Sequence, residues 1–223
     1  MNFTPSPEKK LLLLGLLTAL ICTLSYFYFD RAAIEYFLAV DPEIIAAFKL
    51  LTEGGDSLYS LLIGGLAFLI GQQLLRREII EKTRYWAERA KIWGGFLFTS
   101  VALSGLCTNL IKMLLGRARP VKLLTENLYG FQFFQVEPKL TSFPSGHSDT
   151  AMATALVLWY LWPRSWPLGL LLAVGVMLSR VAVLKHFPSD TLAGAYLAVV
   201  TTYYIQRWFK RRYPQFFPAS ATK

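Results

Sequence analysis

Histidine and cysteine are scarce in this chain, with His147, His186, Cys22 and Cys107 the only ones among its 223 residues. Each cysteine falls inside an apolar run, which argues against a disulfide framework or a thiolate metal site; both read as small packing residues. Charge is thin as well, at 17% of residues, whereas 54% are hydrophobic and the mean hydropathy is +0.41. That balance excludes an ordinary water-soluble domain. No internal repeat and no Pro, Gly or Ser-rich linker divides the sequence, so residues 1–223 are expected to form one domain. The first apolar run lacks a following small-x-small cleavage site, which favours an uncleaved anchor over a signal peptide.

What is present is a series of apolar runs, most of them about 18 to 20 residues long, roughly what a helix needs to cross a hydrocarbon core of about 30 Å. They fall at about 11–29, 58–75, 93–115, 144–162, 168–184 and 190–208. The expected fold is therefore all-α: a polytopic membrane protein with a six-transmembrane-helix bundle. Residues 31–51 mix apolar and charged positions at helical spacing and predict short helices lying in the interface.

The net charge of +9 does not indicate nucleic acid, because the basic residues flank apolar runs instead of alternating with exposed aromatics. Lys9 and Lys10, the charged 76–92 loop, Arg164 and the Lys210-Arg211-Arg212 tail all fall on one side of a six-span arrangement. The positive-inside rule makes that side cytoplasmic, together with both termini. The opposite face would be periplasmic in a bacterial inner membrane. The Asn2-Phe3-Thr4 sequon then lies on the cytoplasmic side and is only formal.

Three polar clusters interrupt the apolar sequence. They read K-x6-R-P (Lys112, Arg119, Pro120), P-S-G-H (Pro144, Ser145, Gly146, His147) and S-R-x5-H-x3-D (Ser179, Arg180, His186, Asp190). Both histidines lie inside them. Ionisable groups in apolar spans are costly and mark function by default.

Pro188 can start a helix but not continue one, so His186 is expected in a turn and Asp190 in the first helical turn after it. A carboxylate there can fix one ring nitrogen and leave the other free to attack phosphorus. Pro144 leads into a helix start where the amides of Ser145, Gly146 and His147 can hold a phosphate oxygen. The Ser145 hydroxyl either adds a donor or caps the helix, and Gly146 allows close approach. His147 is placed to protonate a leaving oxygen. Lys112, Arg119 and Arg180 supply fixed positive charge for the transferred phosphoryl group. Arg117, outside the pattern, reads as touching either a headgroup or the lipid surface. Asp149 reads as a helix-dipole partner.

The three clusters, in this order, resemble the signature of the type 2 phosphatidic acid phosphatase (PAP2) superfamily. The resemblance covers residues 112–190 and matches each defining position. It implies catalysis by His186, oriented by Asp190 with His147 as acid; phosphate binding by Lys112, Arg119, Ser145, Gly146 and Arg180; and hydrolysis of the phosphohistidine. No metal or other cofactor is implied, and the outer face offers no carboxylate cluster suited to magnesium or zinc.

The expected activity is that of a lipid phosphatase acting on phosphatidylglycerol phosphate, phosphatidic acid, undecaprenyl diphosphate or the phosphate of lipid A. Its partners would be the lipid phosphate and the surrounding membrane lipids. A lipid-to-lipid phosphotransferase would use the same first half-reaction, and a non-catalytic scaffold or transporter would not need both histidines and the aspartate. Residues 128–136 and 31–51 are the segments expected to select the lipid; residues 1–55 otherwise carry no assigned role.

Overall fold

The structure is a computed structural model and describes residues 6–217, so the Asn2-Phe3-Thr4 sequon lies outside it. Nine α-helices account for most of the described chain: α1 (Pro7–Leu24), α2 (Asp30–Leu38), α3 (Pro42–Thr52), α4 (Ser57–Leu74), α5 (Glu81–Leu115), α6 (Pro120–Glu126), α7 (Gly146–Leu161), α8 (Trp166–Ala182) and α9 (Pro188–Arg212). Among the described residues the only β pairing is two isolated bridges, from Arg117 to Phe131 and to Thr141.

Helix starts follow local chemistry. Ser6, Asp41 and Asp56 each accept a backbone N–H in the first turn of α1, α3 and α4, and Pro7 and Pro42 begin the first two. Four stretches are long and apolar enough to cross a membrane: Pro7–Leu38, Pro42–Leu74, Glu81–Leu115 and Pro163–Ala182. The chain is thus a multi-pass, all-helical membrane protein.

The other two expected spans form helices of a different character. α7 has only 16 residues, and α9 carries Ser189, Thr191, Thr201 and Thr202 with a basic C-terminal turn. Both sit inside the bundle. Ala151, Met152, Ala155 and Leu156 of α7 pack with Val101, Ala173, Val176, Ala195 and Ala198 from α5, α8 and α9. A helix enclosed by neighbours on most sides needs no continuous lipid-facing surface.

Residues 31–51 do form helices, α2 and α3. The first helical stretch does not stop at Phe29, however: a π-helical turn, Ser25–Phe29, joins α1 directly to α2. The charged segment expected as a loop between spans two and three is mostly helix, because α5 starts at Glu81 and runs 35 residues. At 1.5 Å per residue that is about 52 Å, well beyond a hydrocarbon core of about 30 Å. Its N-terminal turns are steadied by Arg89, whose guanidinium lies 4.1 Å from the Trp93 ring centroid.

Helices α4 and α5 meet through glycine. A methyl group at Gly64 would lie 2.8 Å from the Phe98 backbone nitrogen, and one at Gly94 would lie 2.6 Å from the Gly64 carbonyl oxygen. Small residues let helix backbones approach inside a membrane, where dispersion replaces the hydrophobic effect between helices. Gly64→Val is expected to cost roughly 1–3 kcal/mol by overpacking. A detergent melt checks this: a clear fall in Tm is expected, with Gly65→Val, whose Cβ would meet only the Phe98 ring at 3.5 Å, falling less.

Candidate active site

All three polar clusters gather at one end of the bundle, where α5 and α8 finish and α7 and α9 begin. Gly116, at φ +44°, ends α5 and donates its N–H to the Lys112 carbonyl at 2.9 Å. The crossing of residues 116–143 then folds back in three places. Ala118 N–H donates to Gly130 O at 3.0 Å, Arg119 N–H to Lys139 O at 2.9 Å and Ser142 N–H to Arg117 O at 2.9 Å. The expected thirty-residue loop is therefore an ordered flap containing α6 and a 3-10 turn at Pro138–Leu140. Arg119 stands at the N-cap of α6.

Lys112 reaches across from α5 and donates to the carbonyls of Thr141 and Ser142 at 3.2 and 3.5 Å. It lies within electrostatic reach of Arg119 and Arg180. Arg180, near the end of α8, donates from Nη1 to Thr52 Oγ1 at 2.8 Å. The Nε groups of both Arg119 and Arg180 are buried without a hydrogen-bond partner among the described residues. Three cations with spare donors thus share one end of the bundle. Burial pulls the Arg119 guanidinium below its usual range, with Asp190 opposing.

His186 sits in the turn between α8 and α9, as the sequence predicts. Leu184, at φ +56°, turns the chain so that the Lys185 and His186 N–H groups donate to Arg180 O at 3.0 and 3.2 Å. The imidazole is buried. Its Nδ1 lies 3.5 Å from Asp190 Oδ2 and 3.4 Å from Ser142 Oγ. No protein partner falls on Nε2 among the described residues. Asp190 Oδ2 also accepts Ser142 Oγ–H at 2.6 Å and the Phe187 N–H at 2.9 Å, while Oδ1 accepts Arg117 Nη1 at 2.5 Å. Both oxygens of this carboxylate are thus held by protein donors.

Burial pushes the His186 imidazole down to about 3, with the Asp190 hydrogen bond opposing and the Lys112 and Arg119 charges adding to the fall. The ring is therefore neutral across the physiological range. The sign for stability follows: between about 3 and the ordinary value of about 6.5 the unfolded chain binds a proton that the folded one refuses, so stability falls as pH drops through that window. Thermal melts from pH 7 to pH 4 are expected to show this loss in the native protein and a shallower one in His186→Gln.

The N-terminus of α7 is locked to the same hub, because Ser145 N–H donates to Asp190 O at 2.9 Å. Ser145 is wholly buried, and its hydroxyl accepts Ser148 N–H at 3.4 Å and Ser148 Oγ–H at 3.0 Å. Of its two expected uses, the hydroxyl is thus engaged in capping, and the Ser145 amide expected to hold a phosphate oxygen is instead taken up by Asp190 O. Gly146 faces Lys112: a methyl group there would stand 4.0 Å from Lys112 Cε. His147 has no side-chain hydrogen bond among the described residues and feels the Arg180, Lys112 and Arg119 charges. Gly55 backs it, since a Cβ at Gly55 would come within 2.9 Å of His147 Cβ. Asp149 lies in the first turn of α7 but points into the bundle, bonded by Ser104 Oγ–H, with Oδ2 lacking a hydrogen-bond partner among the described residues.

Arg117 departs from both sequence expectations. It touches neither headgroup nor lipid surface, being fully buried and paired with Asp190 and Asp30. The reason is its position between two bridge partners, Phe131 and Thr141, which turns it inward below the flap. Asp30, Ser142 and Thr52 are site neighbours that the sequence reading missed. Asp30 is a lone acid ending an aromatic run, a weak signal that the intramembrane rule for ionisable residues picks out. Among the described residues no group of three His, Cys, Asp or Glu side chains is arranged to hold a metal ion.

Fold and site together define a multi-pass helical membrane protein with a His-Asp pair facing clustered cations. Residues 93–214 match the model of the PAP2 superfamily, more than half of the chain, and the protein belongs to that superfamily. It is 35% identical over 146 residues to the lipid A 1-phosphatase of Rhizobium etli, covering 66% of this chain and 63% of that protein. The lipid A 1-phosphatase of Rhizobium johnstonii is 34% identical over 146 residues, covering 66% and 60%. The aligned region thus spans somewhat under two thirds of the length of either relative.

Among solved structures, the transmembrane PAP2 type phosphatidylglycerolphosphate phosphatase from Bacillus subtilis superposes with a TM-score of 0.55 at 21% identity, covering 91% of this chain and 96% of that one. Aquifex aeolicus LpxE gives 0.56 at 18% identity, covering 80% and 94%. At these identities the likeness is one of fold.

Proposed function

We propose that this protein is an integral membrane lipid phosphatase that hydrolyses a lipid phosphomonoester or diphosphate through a phosphohistidine on His186. The observation that carries this reading is the orientation of His186: Nδ1 faces Asp190 and Ser142, leaving Nε2 free. Nε2 attacks phosphorus in line with the lipid oxygen; the N–P bond forms as the P–O bond breaks. His147 donates a proton to the departing oxygen. Water then attacks the phosphohistidine, giving up its proton to His147, and inorganic phosphate leaves with the imidazole restored.

Lys112, Arg119 and Arg180, with the Gly146 and His147 amides at the positive end of α7, hold the three equatorial oxygens. Three fixed cations and two amide donors serve the role a metal ion plays elsewhere, and no cofactor enters the reaction. The Asp190 carboxylate holds the ring tautomer and balances the positive charge of the phosphorylated imidazole.

In the membrane, the six crossings are α1, α4, α5, α7, α8 and α9, within one domain, with α2 and α3 at the interface. Lys9, Lys10, Arg164 and the Lys210-Arg211-Arg212 turn favour cytoplasmic termini and a site open to the periplasm of a bacterial inner membrane. The names of the two Rhizobium relatives put the 1-phosphate of lipid A first among the substrates, ahead of phosphatidylglycerol phosphate, phosphatidic acid and undecaprenyl diphosphate. Purified protein assayed against these four lipids tests the reading. Phosphate release from at least one, fastest from lipid A, is the expected result; no release from any overturns it. A label followed from donor lipid to inorganic phosphate, and not to an acceptor lipid, separates hydrolase from phosphotransferase.

A further inference from the structure

Arg117 Nη1 donates to Asp190 Oδ1 at 2.5 Å and to Ser189 Oγ at 2.8 Å, while Nη2 donates to Asp30 Oδ2 at 2.7 Å and to the Tyr129 hydroxyl at 3.1 Å. All three charged side chains are fully buried. Asp30 is held in turn by the Ser25 hydroxyl at 2.7 Å, the Ser189 N–H at 3.1 Å and the Ser189 hydroxyl at 2.5 Å. We propose that Asp30 and Arg117 are positioning residues for catalysis, forming a relay that fixes the Asp190 carboxylate and sets its charge against His186. This rests on the phosphohistidine reading above.

The π-helical turn delivers Asp30 to this place. A wide turn inserts one residue into the helical register, which rotates the following side chain by about 100°. Asp30 closes that turn, its N–H bonded to Ser25 O, and faces α9 and the flap instead of lipid. The flap is locked to the same turn, since Tyr129 donates its hydroxyl to Tyr26 O at 2.6 Å and its ring stacks on Tyr26 at 4.8 Å. Asp30, to which the sequence assigns no role, thus supplies one of the two buried carboxylates that pair with Arg117.

The arrangement has two chemical consequences. With Oδ1 of Asp190 gripped by Arg117, the carboxylate cannot rotate, and Oδ2 stays toward His186 Nδ1. The trio also carries a net charge of −1: Asp190 alone would be −1, Arg117 cancels it, and Asp30 restores it. A phosphorylated imidazolium at His186 therefore faces a net negative charge that has been desolvated in advance. A buried ion triad gains little stability over apolar packing of the same volume, whereas breaking one member is costly. Its site, one bond from the catalytic carboxylate, fits a role in the reaction.

The test compares Asp30→Asn, Tyr129→Phe and Tyr196→Phe in the full-length protein in detergent. Tyr196 donates to Leu11 O at 3.1 Å and supports the same α1–α9 contact away from the site. The measurements are kcat, KM, the vanadate inhibition constant and Tm. Asp30→Asn is expected to lower kcat about 10–100-fold, as removal of outer-shell partners does elsewhere. KM is expected to stay within about threefold, because the cations that bind phosphate are untouched, whereas vanadate, which mimics the five-coordinate transition state, is expected to inhibit more weakly in step with the loss of kcat. Tyr129→Phe should show the same pattern more weakly, and Tyr196→Phe should lower Tm with kcat unchanged.

If Asp30→Asn does not fold, Tyr129→Phe and Ser25→Ala decide by the same split. Unchanged kcat in folded Asp30→Asn, or in both milder variants, overturns the relay, as does a loss of kcat that merely follows Tm as in Tyr196→Phe. A native protein that releases no phosphate from any of the four lipids overturns the phosphatase reading and the relay with it. An active native protein beside an undiminished Asp30→Asn overturns the relay alone.

Discussion

His186→Asn is expected to abolish phosphate release, with a loss on the order of 10^4 to 10^6 in kcat, the scale on which deleting an enzyme nucleophile acts. Asparagine keeps much of the ring's bulk and can accept or donate at the Nδ1 position, so the Ser142–Asp190 contact at 2.6 Å has reason to survive. The Lys112, Arg119 and Arg180 cluster is untouched. Vanadate or inorganic phosphate should then still bind to the variant, measured by their protection against thermal unfolding. Ligand protection with no turnover is the signature of a lost nucleophile and not of a lost fold. Residual turnover within tenfold of the native protein contradicts the assignment.

His147 carries the second large effect, and it depends on the substrate. A general acid contributes about 10^2 to 10^4 to a reaction whose leaving oxygen needs a proton. His147→Gln is expected to lose that factor with a lipid alcohol as leaving group and far less, in the first step, with a phenolic one. With an aryl phosphate the variant should release one equivalent of phenol in a burst and then stall, because the second step needs His147 to take the proton from water. Rapid-mixing kinetics read the burst directly. Equal losses with lipid and aryl substrates, and no burst, would place the acid elsewhere. The structure gives this residue room to act: its side chain has no hydrogen bond among the described residues, and Gly55 behind it leaves no bulk to displace.

Much of the site was legible in the sequence because its chemistry comes in local spacings. A proline after His186 forces a turn and then a helix, which puts Asp190 one turn beyond and lets Oδ2 reach Nδ1. The same logic placed Pro144 and Ser145 at a helix start. Arg117, Asp30 and Ser142 were not legible in that way, because their partners lie 73, 159 and 48 residues away in the chain. No periodicity reports a contact of that range.

The helix inventory divides along similar lines. Apolar length located α1, α4, α5 and α8, whose surfaces face outward, as the exposed Leu12, Leu66, Leu106 and Leu171 illustrate. It also bracketed α7 and α9, but these do not have the length and apolar surface of a lipid-facing helix, since helices enclosed by the bundle are shaped by neighbours and keep hydroxyls that pair internally. The charged start of α5 resembles a loop in sequence only through its polarity. Glu81 to Lys91 contains no glycine or proline, and nothing there breaks a helix.

The most direct measurement is the chemical identity of the intermediate. Native protein mixed with a substrate carrying radiolabelled phosphate and quenched within milliseconds should yield labelled protein whose phosphoryl group is lost in acid and kept in alkali. Peptide mapping should place it on the fragment containing His186, and His186→Asn should take up no label. Label on any other residue, or full turnover by an enzyme that is never labelled, contradicts the account.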